Sequence, residues 1–297
     1  MTNEHQSKSI LITGTSTGIG KATALYLDQQ GYRVFATVRK EKDGQELREQ
    51  ASPLLSPILL DVRDEASLSS AEELINRQVG EAGLWGLVNN AATSFALPLE
   101  SVPLEELRQL FEVNVFGTLS LTQKLLPLIR KAQGRIVNIS SIAASVVAPF
   151  HGPYSASKLA LNGLNDALRL ELRPLGVRVS LVLYGSVRTP IWNTGGELSR
   201  DIVQAHPAPA WDLYRENYQS LIEYFRKLGK AGISTQEAIH PIVHALTTDR
   251  PKTRYYVGRN AWLLALMSRF FEGDLRDWML MRMIGLSDSQ VMSSEVH

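Results

Sequence analysis

The stretch Thr13-Gly14-Thr15-Ser16-Thr17-Gly18-Ile19-Gly20 decides the fold. A short β-branched run, Ile10–Thr13, leads into it. A helical pattern, Gly20–Gln30, follows and stops at Gly31. Glycines at such a strand-to-helix junction let the backbone turn tightly and approach a pyrophosphate. The helix N-terminus then supplies free N–H groups and the positive end of the helix dipole. The residues expected to line such a ligand are Gly14, Ser16, Thr17, Gly18, Ile19 and Gly20. The spacing is GxxxGxG, neither the common GxGxxG nor a phosphate loop ending in Gly-Lys-Ser/Thr, which disfavours ATP or GTP hydrolysis.

Working outward, apolar strands alternate with helical patterns. Strands are expected at Arg33–Thr37, Pro57–Leu60, Leu84–Asn89, Arg135–Ser140, Val177–Leu183 and Arg254–Val257. Helices are expected at Glu65–Val79, from about Leu104 to Lys131, and at Tyr154–Arg173, the last stopped by Pro174 and Gly176. Strands that are apolar throughout, and not alternating, belong to sheets covered on both faces. Strand–helix alternation implies a parallel sheet with crossover helices. The expectation is an α/β chain, residues 1–297, forming one Rossmann-type doubly wound domain of about seven parallel strands. Its ligand crevice lies at the carboxyl ends of the strands.

Composition narrows the function classes. The 297 residues are 44% hydrophobic and 21% charged, ordinary globular values. Lys and Arg number 31 against 30 Asp and Glu, so no net field favours nucleic acid or an anionic membrane. There is no cysteine, which excludes disulfides, thiol catalysis and Cys-ligated zinc, and fits a reducing, cytoplasmic setting. Residues 1–8 show no signal-peptide core and are expected to be flexible. The longest run of strong hydrophobes, Ala261–Met267, is far shorter than the roughly 20 residues a membrane span needs.

Chemistry concentrates in Pro153-Tyr154-Ser155-Ala156-Ser157-Lys158, which opens a helix. Tyr154 and Lys158 share a helix face, and of the nine tyrosines only Tyr154 has a lysine at i+4. A neighbouring cation and a helix N-terminus both favour phenolate, which makes a tyrosine usable as acid or base near neutral pH. Ser141 lies at the end of a strand on the crevice side. Asn114 sits inside the long helix, where Asn is mildly unfavourable. Each of these four also has an ordinary structural reading as a surface neighbour, cap or solvated polar residue.

Together the residues resemble the short-chain dehydrogenase/reductase family from about Ser9 to Gly258. The resemblance rests on the TGxxxGIG loop, Asp61-Val62, Asn89-Asn90-Ala91-Ala92, Asn114, Ser141, Tyr154-x-x-x-Lys158 and Gly185-Ser186-Val187-Arg188-Thr189-Pro190. It implies a Rossmann-type fold that uses NAD(H) or NADP(H). Tyr154 would be the general acid/base, Ser141 would orient the carbonyl or hydroxyl, and Lys158 would lower the tyrosine pKa and hold the nicotinamide ribose. Asn114 would position a water. Asp61, Val62, Asn89 and Ala91 would flank the adenosine half. Gly185, Val187 and Thr189 would meet the nicotinamide end. Two positions depart from the family pattern: Tyr184 stands for a proline and Ala92 for a glycine.

An acid at the end of the second strand would bind a free ribose 2′-OH. Here that end reads Ala36-Thr37-Val38-Arg39-Lys40, so Arg39, helped by Ser16, is expected to meet a 2′-phosphate, favouring NADP(H) over NAD(H). The Val-Phe-Ala-Thr-Val-Arg strand end and the tail resemble steroid and retinol dehydrogenases. Residues 190–232 hold six of the 22 aromatics and are expected to form a substrate lid hinged at Gly195-Gly196. A lipophilic alcohol or ketone is the implied substrate. His151, three residues before Tyr154, reads as a loop residue, with lining of the pocket as the alternative, and His240 with His244 as helix-face residues with no metal. Residues 258–297 are expected to be a helical extension. Its Trp262, Leu263, Leu266, Phe270 and Phe271 form an apolar face for core, a second copy of the chain, or a membrane surface. The alternative to an enzyme is a non-catalytic nucleotide-sensing binder, which would be expected to lack Tyr154 or Lys158.

Overall fold

The computed structural model describes residues 8–258, 261–270 and 273–286. Of the expected flexible N-terminus at 1–8 all but Lys8, and of the expected extension at 258–297 residues 259–260, 271–272 (with Phe271) and 287–297, lie outside the described residues. Strand β1 (Ser9–Ile12) leads into α1 (Gly18–Gln29), β2 (Arg33–Val38), α2 (Glu41–Arg48), β3 (Leu55–Leu59), α3 (Glu65–Val79) and β4 (Gly86–Asn89). Then come α4 (Leu104–Phe111), α5 (Gly117–Lys131), β5 (Arg135–Ser141), α6 (Gly152–Leu172) and β6 (Arg178–Tyr184). The chain continues through α7 (Ile191–Ala205), α8 (Trp211–Ala231), α9 (Thr235–Thr247), β7 (Arg254–Val257), α10 (Ala261–Phe270) and α11 (Asp274–Ile284).

The seven strands form one parallel sheet in the order β3-β2-β1-β4-β5-β6-β7. Successive side chains of a strand point to opposite faces. Ile10, Ile12 and Val34 accordingly meet α1 and α9 on one face, while Leu11, Phe35 and Leu87 meet α3 and α5 on the other. All of these are fully buried. At about 1.5–3 kcal/mol per buried aliphatic or aromatic side chain, the two layers supply the main favourable energy of the fold. The strand order reverses between β1 and β4, which opens the crevice above their carboxyl ends.

Three features were not anticipated. The helix expected from Leu104 to Lys131 contains a π-helical turn, Glu112–Phe116, in which the Gly117 N–H bonds the Glu112 carbonyl five residues back. Helix α2 is short and polar, so periodicity did not mark it; Leu47 alone anchors it fully. Helix α9 begins with a capping box between Ser234 and Glu237, a signal present in Ser234-Thr235-Gln236-Glu237 but not used.

Candidate active site

The glycine loop is built by contacts that leave no room for side chains. Gly14 and Gly18 have positive φ, +68° and +63°. A Cβ on Gly14 would lie 2.9 Å from the Ala91 Cα, and one on Gly20 would lie 2.3 Å from the Gly14 carbonyl oxygen. Asn90 pins the turn: its Nδ2 donates to the Thr13 and Gly14 carbonyls at 2.8 and 3.0 Å. Thr13 Oγ1 accepts from the Asn90 and Ala91 N–H groups, both at 2.9 Å. Thr15 donates through N and Oγ1 to the Thr37 carbonyl. Asn90, Thr13, Thr15 and Thr37 were not chosen from the sequence; Asn90 stood inside the quoted motif and was the available signal.

Helix α1 starts at Gly18 with no side-chain cap and no acid in its first turn, so its N–H groups remain free for an anion. Ser16, Thr17 and Ile19 line this end, with Thr17 exposed. Across the crevice, the Thr189 side chain lies 3.4 Å from where a Gly18 Cβ would stand. Its segment is fixed because Gly185 N donates to Val257 O, Arg188 N donates to Ile233 O, and buried Val187 bridges Ile233. A glycine cradle, an uncapped helix end and a facing Thr189 fit a dinucleotide.

Other expected contacts take a different form. The Asn89 side chain is 4% exposed and donates to Thr122 Oγ1 and Asn138 Oδ1, at 3.0 and 2.8 Å. It belongs to a buried polar ladder that joins β4, α5 and β5. The Asp61 carboxylate is held bidentately by Arg63, at 3.1 and 2.7 Å. That hydrogen bonding keeps it below the usual carboxylate range. Val62 packs under Gly117, where a Cβ would meet its carbonyl at 2.5 Å. Arg39 is exposed at the end of β2, near enough to Asp61 to lower its pKa further.

Ser141, Tyr154 and Lys158 converge at the ends of β5 and α6. Burial pushes the Tyr154 pKa up to about 12, and the neighbouring Ser141 side chain lowers it by a smaller amount. Lys158 is 3% exposed, and its Nζ donates to the Ile139 carbonyl at 3.0 Å. That Nζ stands 5.8 Å from the centre of the Tyr154 ring, and burial pulls its pKa down to about 8. The expected lowering of the tyrosine pKa by Lys158 is therefore absent here. Both groups sit in a dry pocket, and desolvation outweighs their attraction.

Asn114 is buried in the π-helical turn. Its Oδ1 accepts from Thr93 N, and its Nδ2 donates to Thr93 O and Ser157 Oγ. The amide clamps the loop after β4 onto α6. Tyr184 turns into the core and donates its hydroxyl to the Ala238 carbonyl. Only its backbone carbonyl reaches Ser141 Oγ, at 3.4 Å, so the tyrosine does not intrude on the crevice.

The aromatic segment forms α7 and α8. Trp192, Phe225, Tyr224 and Tyr218 are half-buried and pack on one another and on Phe150. Gly195 and Gly196 lie inside α7 and do not form a hinge. A Cβ on Gly195 would come 3.0 Å from the Ser94 carbonyl, so glycine serves close approach there. His244 bonds the Tyr255 hydroxyl through Nδ1, and among the described residues no three His, Asp or Glu side chains group as metal ligands. In the extension, Ala261, Ile284 and Leu286 are buried, while Trp262, Leu263 and Trp278 are exposed. Among the described residues no helix is long and apolar enough to cross a membrane.

Known proteins are similar to this chain in sequence and fold. The 17-beta-hydroxysteroid dehydrogenase type 6 of Bos taurus is 36% identical over 282 residues, covering 93% of this chain and 89% of that protein. The NADPH-dependent 3-dehydrocapnine reductase of Ornithobacterium rhinotracheale is 36% identical over 255 residues, covering 83% and 87%. A solved short-chain dehydrogenase from Streptomyces avermitilis superposes with a TM-score of 0.74 at 29% identity, covering 90% and 92% of the two chains. The family described as short chain dehydrogenase matches residues 8–197. The cradle, the Ser141–Tyr154–Lys158 convergence and these similarities lead to one conclusion: the chain belongs to the short-chain dehydrogenase family and is an oxidoreductase.

Proposed function

We propose that this protein is an NADP(H)-dependent oxidoreductase that interconverts a lipophilic alcohol, steroid- or retinoid-like, with its ketone or aldehyde. The observation that carries the reading is the convergence of Tyr154 with Ser141 and a buried Lys158, on a sheet whose first strand feeds a glycine cradle. The nicotinamide cofactor, when bound, donates or accepts the hydride. Tyr154 holds the proton that the substrate oxygen gains or loses; a phenol raised to about 12 stays protonated at neutral pH, ready to act as acid in the reductive direction. Ser141 orients the same oxygen. Lys158, still largely charged below its value of about 8, draws the phenolate that forms.

Gly14, Ser16, Thr17, Gly18, Ile19 and Gly20 would receive the pyrophosphate. The backbone of Ala91 and Val62, with Asp61, would border the adenosine side, and Gly185, Val187 and Thr189 the amide side. The preference for NADP(H) rests on exposed Arg39, on a β2 that ends without a carboxylate, and on a relative whose name states NADPH dependence. The lipophilic substrate rests on the half-buried rings of α7 and α8 and on the steroid dehydrogenase relative. The direct experiment follows nicotinamide absorbance over a panel of steroid, retinoid and simple ketones and alcohols with each cofactor. Turnover of lipophilic members with NADPH is expected; turnover of none, with tight NADPH binding, would favour a nucleotide-sensing role.

A further inference from the structure

One titratable side chain lies against the proton donor without a part in that reaction. His151 occupies the N-cap position of α6, three residues before Tyr154. Its ring stacks on the Tyr154 ring, with centroids 4.8 Å apart and planes inclined by 24°. Phe225 of α8 meets the imidazole edge-on at 5.0 Å, and Trp192 of α7 lies 5.7 Å from Phe225. The imidazole Nε2 is 3.2 Å from Ser94 Oγ. Ser94 is itself held: Gly195 of α7 packs on its carbonyl, and Asn114 grips its neighbour Thr93 at both N–H and C=O. Both lid helices thus reach the His151–Ser94 pair, and that pair reaches Tyr154. Burial keeps the imidazolium far below its usual range, at about 4, so the ring is a neutral plate tethered at one edge.

We propose that His151 is a positioning residue for Tyr154: anchored by Ser94 and gripped by Phe225, its ring fixes the phenol and shields it from water, linking the seating of α7 and α8 to proton transfer. The proposal rests on Tyr154 being the acid/base. Two titratable groups face Tyr154, His151 and Lys158, both from α6; β5 adds Ser141, and α8 presents Phe225 to the imidazole. Shielding from water disfavours phenolate, so removing the plate lowers the Tyr154 pKa. A purely structural contact elsewhere would leave that value unchanged.

The test uses the full chain with His151→Ala, His151→Phe, Ser94→Ala and Tyr154→Phe. Two readouts are taken. One is kcat and KM with NADPH and the best substrate of the panel. The other is an ultraviolet tyrosinate titration without cofactor, each protein measured against its counterpart carrying Tyr154→Phe. His151→Ala is expected to lose roughly ten- to a hundredfold in kcat through misorientation, with a smaller change in KM. Its Tyr154 titration should fall by about one pH unit. His151→Phe keeps a ring and should rescue most of both; Ser94→Ala should show a weaker form of the His151→Ala pattern. An unchanged kcat and titration in His151→Ala overturns the proposal, as does His151→Phe behaving like His151→Ala. If His151→Ala does not fold, Ser94→Ala decides, and unchanged kcat and titration there overturn it. Tyr154→Phe separates the two claims: its retained turnover refutes the acid/base reading, whereas its loss beside an unaffected His151→Ala refutes only the role of His151.

Discussion

Lys158 and Tyr154 share a pocket in which burial raises the phenol to about 12 and lowers the lysine to about 8. The lysine gives a measurable consequence. Its pKa is depressed from 10.5 in the unfolded chain, so between about pH 8 and 10.5 the unfolded state binds more protons than the native state. Stability from this group therefore rises with pH through that window. Lys158→Met removes the titration. The wild-type minus variant difference in unfolding free energy should grow across the window by on the order of a few kcal/mol, read from denaturant curves at a series of pH values. A flat difference would show that Lys158 is not desolvated. Arg39 makes a second prediction at this scale. Arg39→Asp replaces an exposed cation with a carboxylate that repels a 2′-phosphate and accepts from a 2′-OH. The NADPH affinity should fall by about 1–3 kcal/mol, roughly ten- to a hundredfold, relative to NADH. Equal binding of both cofactors by the wild type contradicts the NADP(H) reading. The pairing of Tyr154 with Lys158 was legible in the sequence because spacing on one helix face is a sequence property. The direction of the Tyr154 shift was not, because desolvation depends on what covers the pocket. The contacts of His151 were not legible, because its partners Ser94 and Phe225 are distant in the chain; sequence alone leaves loop residue and pocket lining as the two readings.

The glycine loop and helices α7 and α8 behave differently as elements. Gly20→Ala places a Cβ 2.3 Å from the Gly14 carbonyl and 2.5 Å from Asn90 Nδ2, so the turn must open. Overpacking of this kind costs about 1–3 kcal/mol, and calorimetry should show a lower melting temperature together with lost NADPH binding. In α7 and α8, Leu221 is fully buried while Trp192 is half-buried, with its Nε1 donating to Val187 O. Leu221→Ala should cost 2–5 kcal/mol of stability, at the scale of a core truncation. Trp192→Ala should chiefly raise KM for lipophilic substrates, with NADPH affinity nearly unchanged. A large stability loss with unchanged KM in Trp192→Ala would mark these helices as fixed core. Strand positions were legible to within a residue or two, and Glu65–Val79 and Arg254–Val257 match their expected bounds. The π-helical turn was not, because its extra residue is set by the Asn114 bonds to Thr93 and Ser157, which no periodicity reveals.

Across the whole molecule, one sheet gathers the glycine loop after β1, the Asn89–Ala92 turn after β4, Ser141 at the end of β5 and the Gly185–Thr189 segment after β6, and α7, α8 and the extension pack on one another beside them. Ile284 and Leu286 of the extension pack with Leu221, Phe150 and Phe225, while Ala261 backs Gly185. The extension thereby supports α8. The strand–helix alternation foretold the sheet because parallel strands must be apolar on both faces. The packing of α7, α8 and α11 was not foretold, since half-buried aromatic contacts leave only an enrichment in composition. The central claim is that Tyr154 gives and takes the substrate proton, and one measurement tests it most directly. Turnover and NADPH affinity are compared between the wild type and Tyr154→Phe, a change that keeps the ring and removes only the hydroxyl. The account predicts a loss of about 10²–10⁴ in kcat with NADPH affinity nearly unchanged; near wild-type kcat in Tyr154→Phe would contradict it.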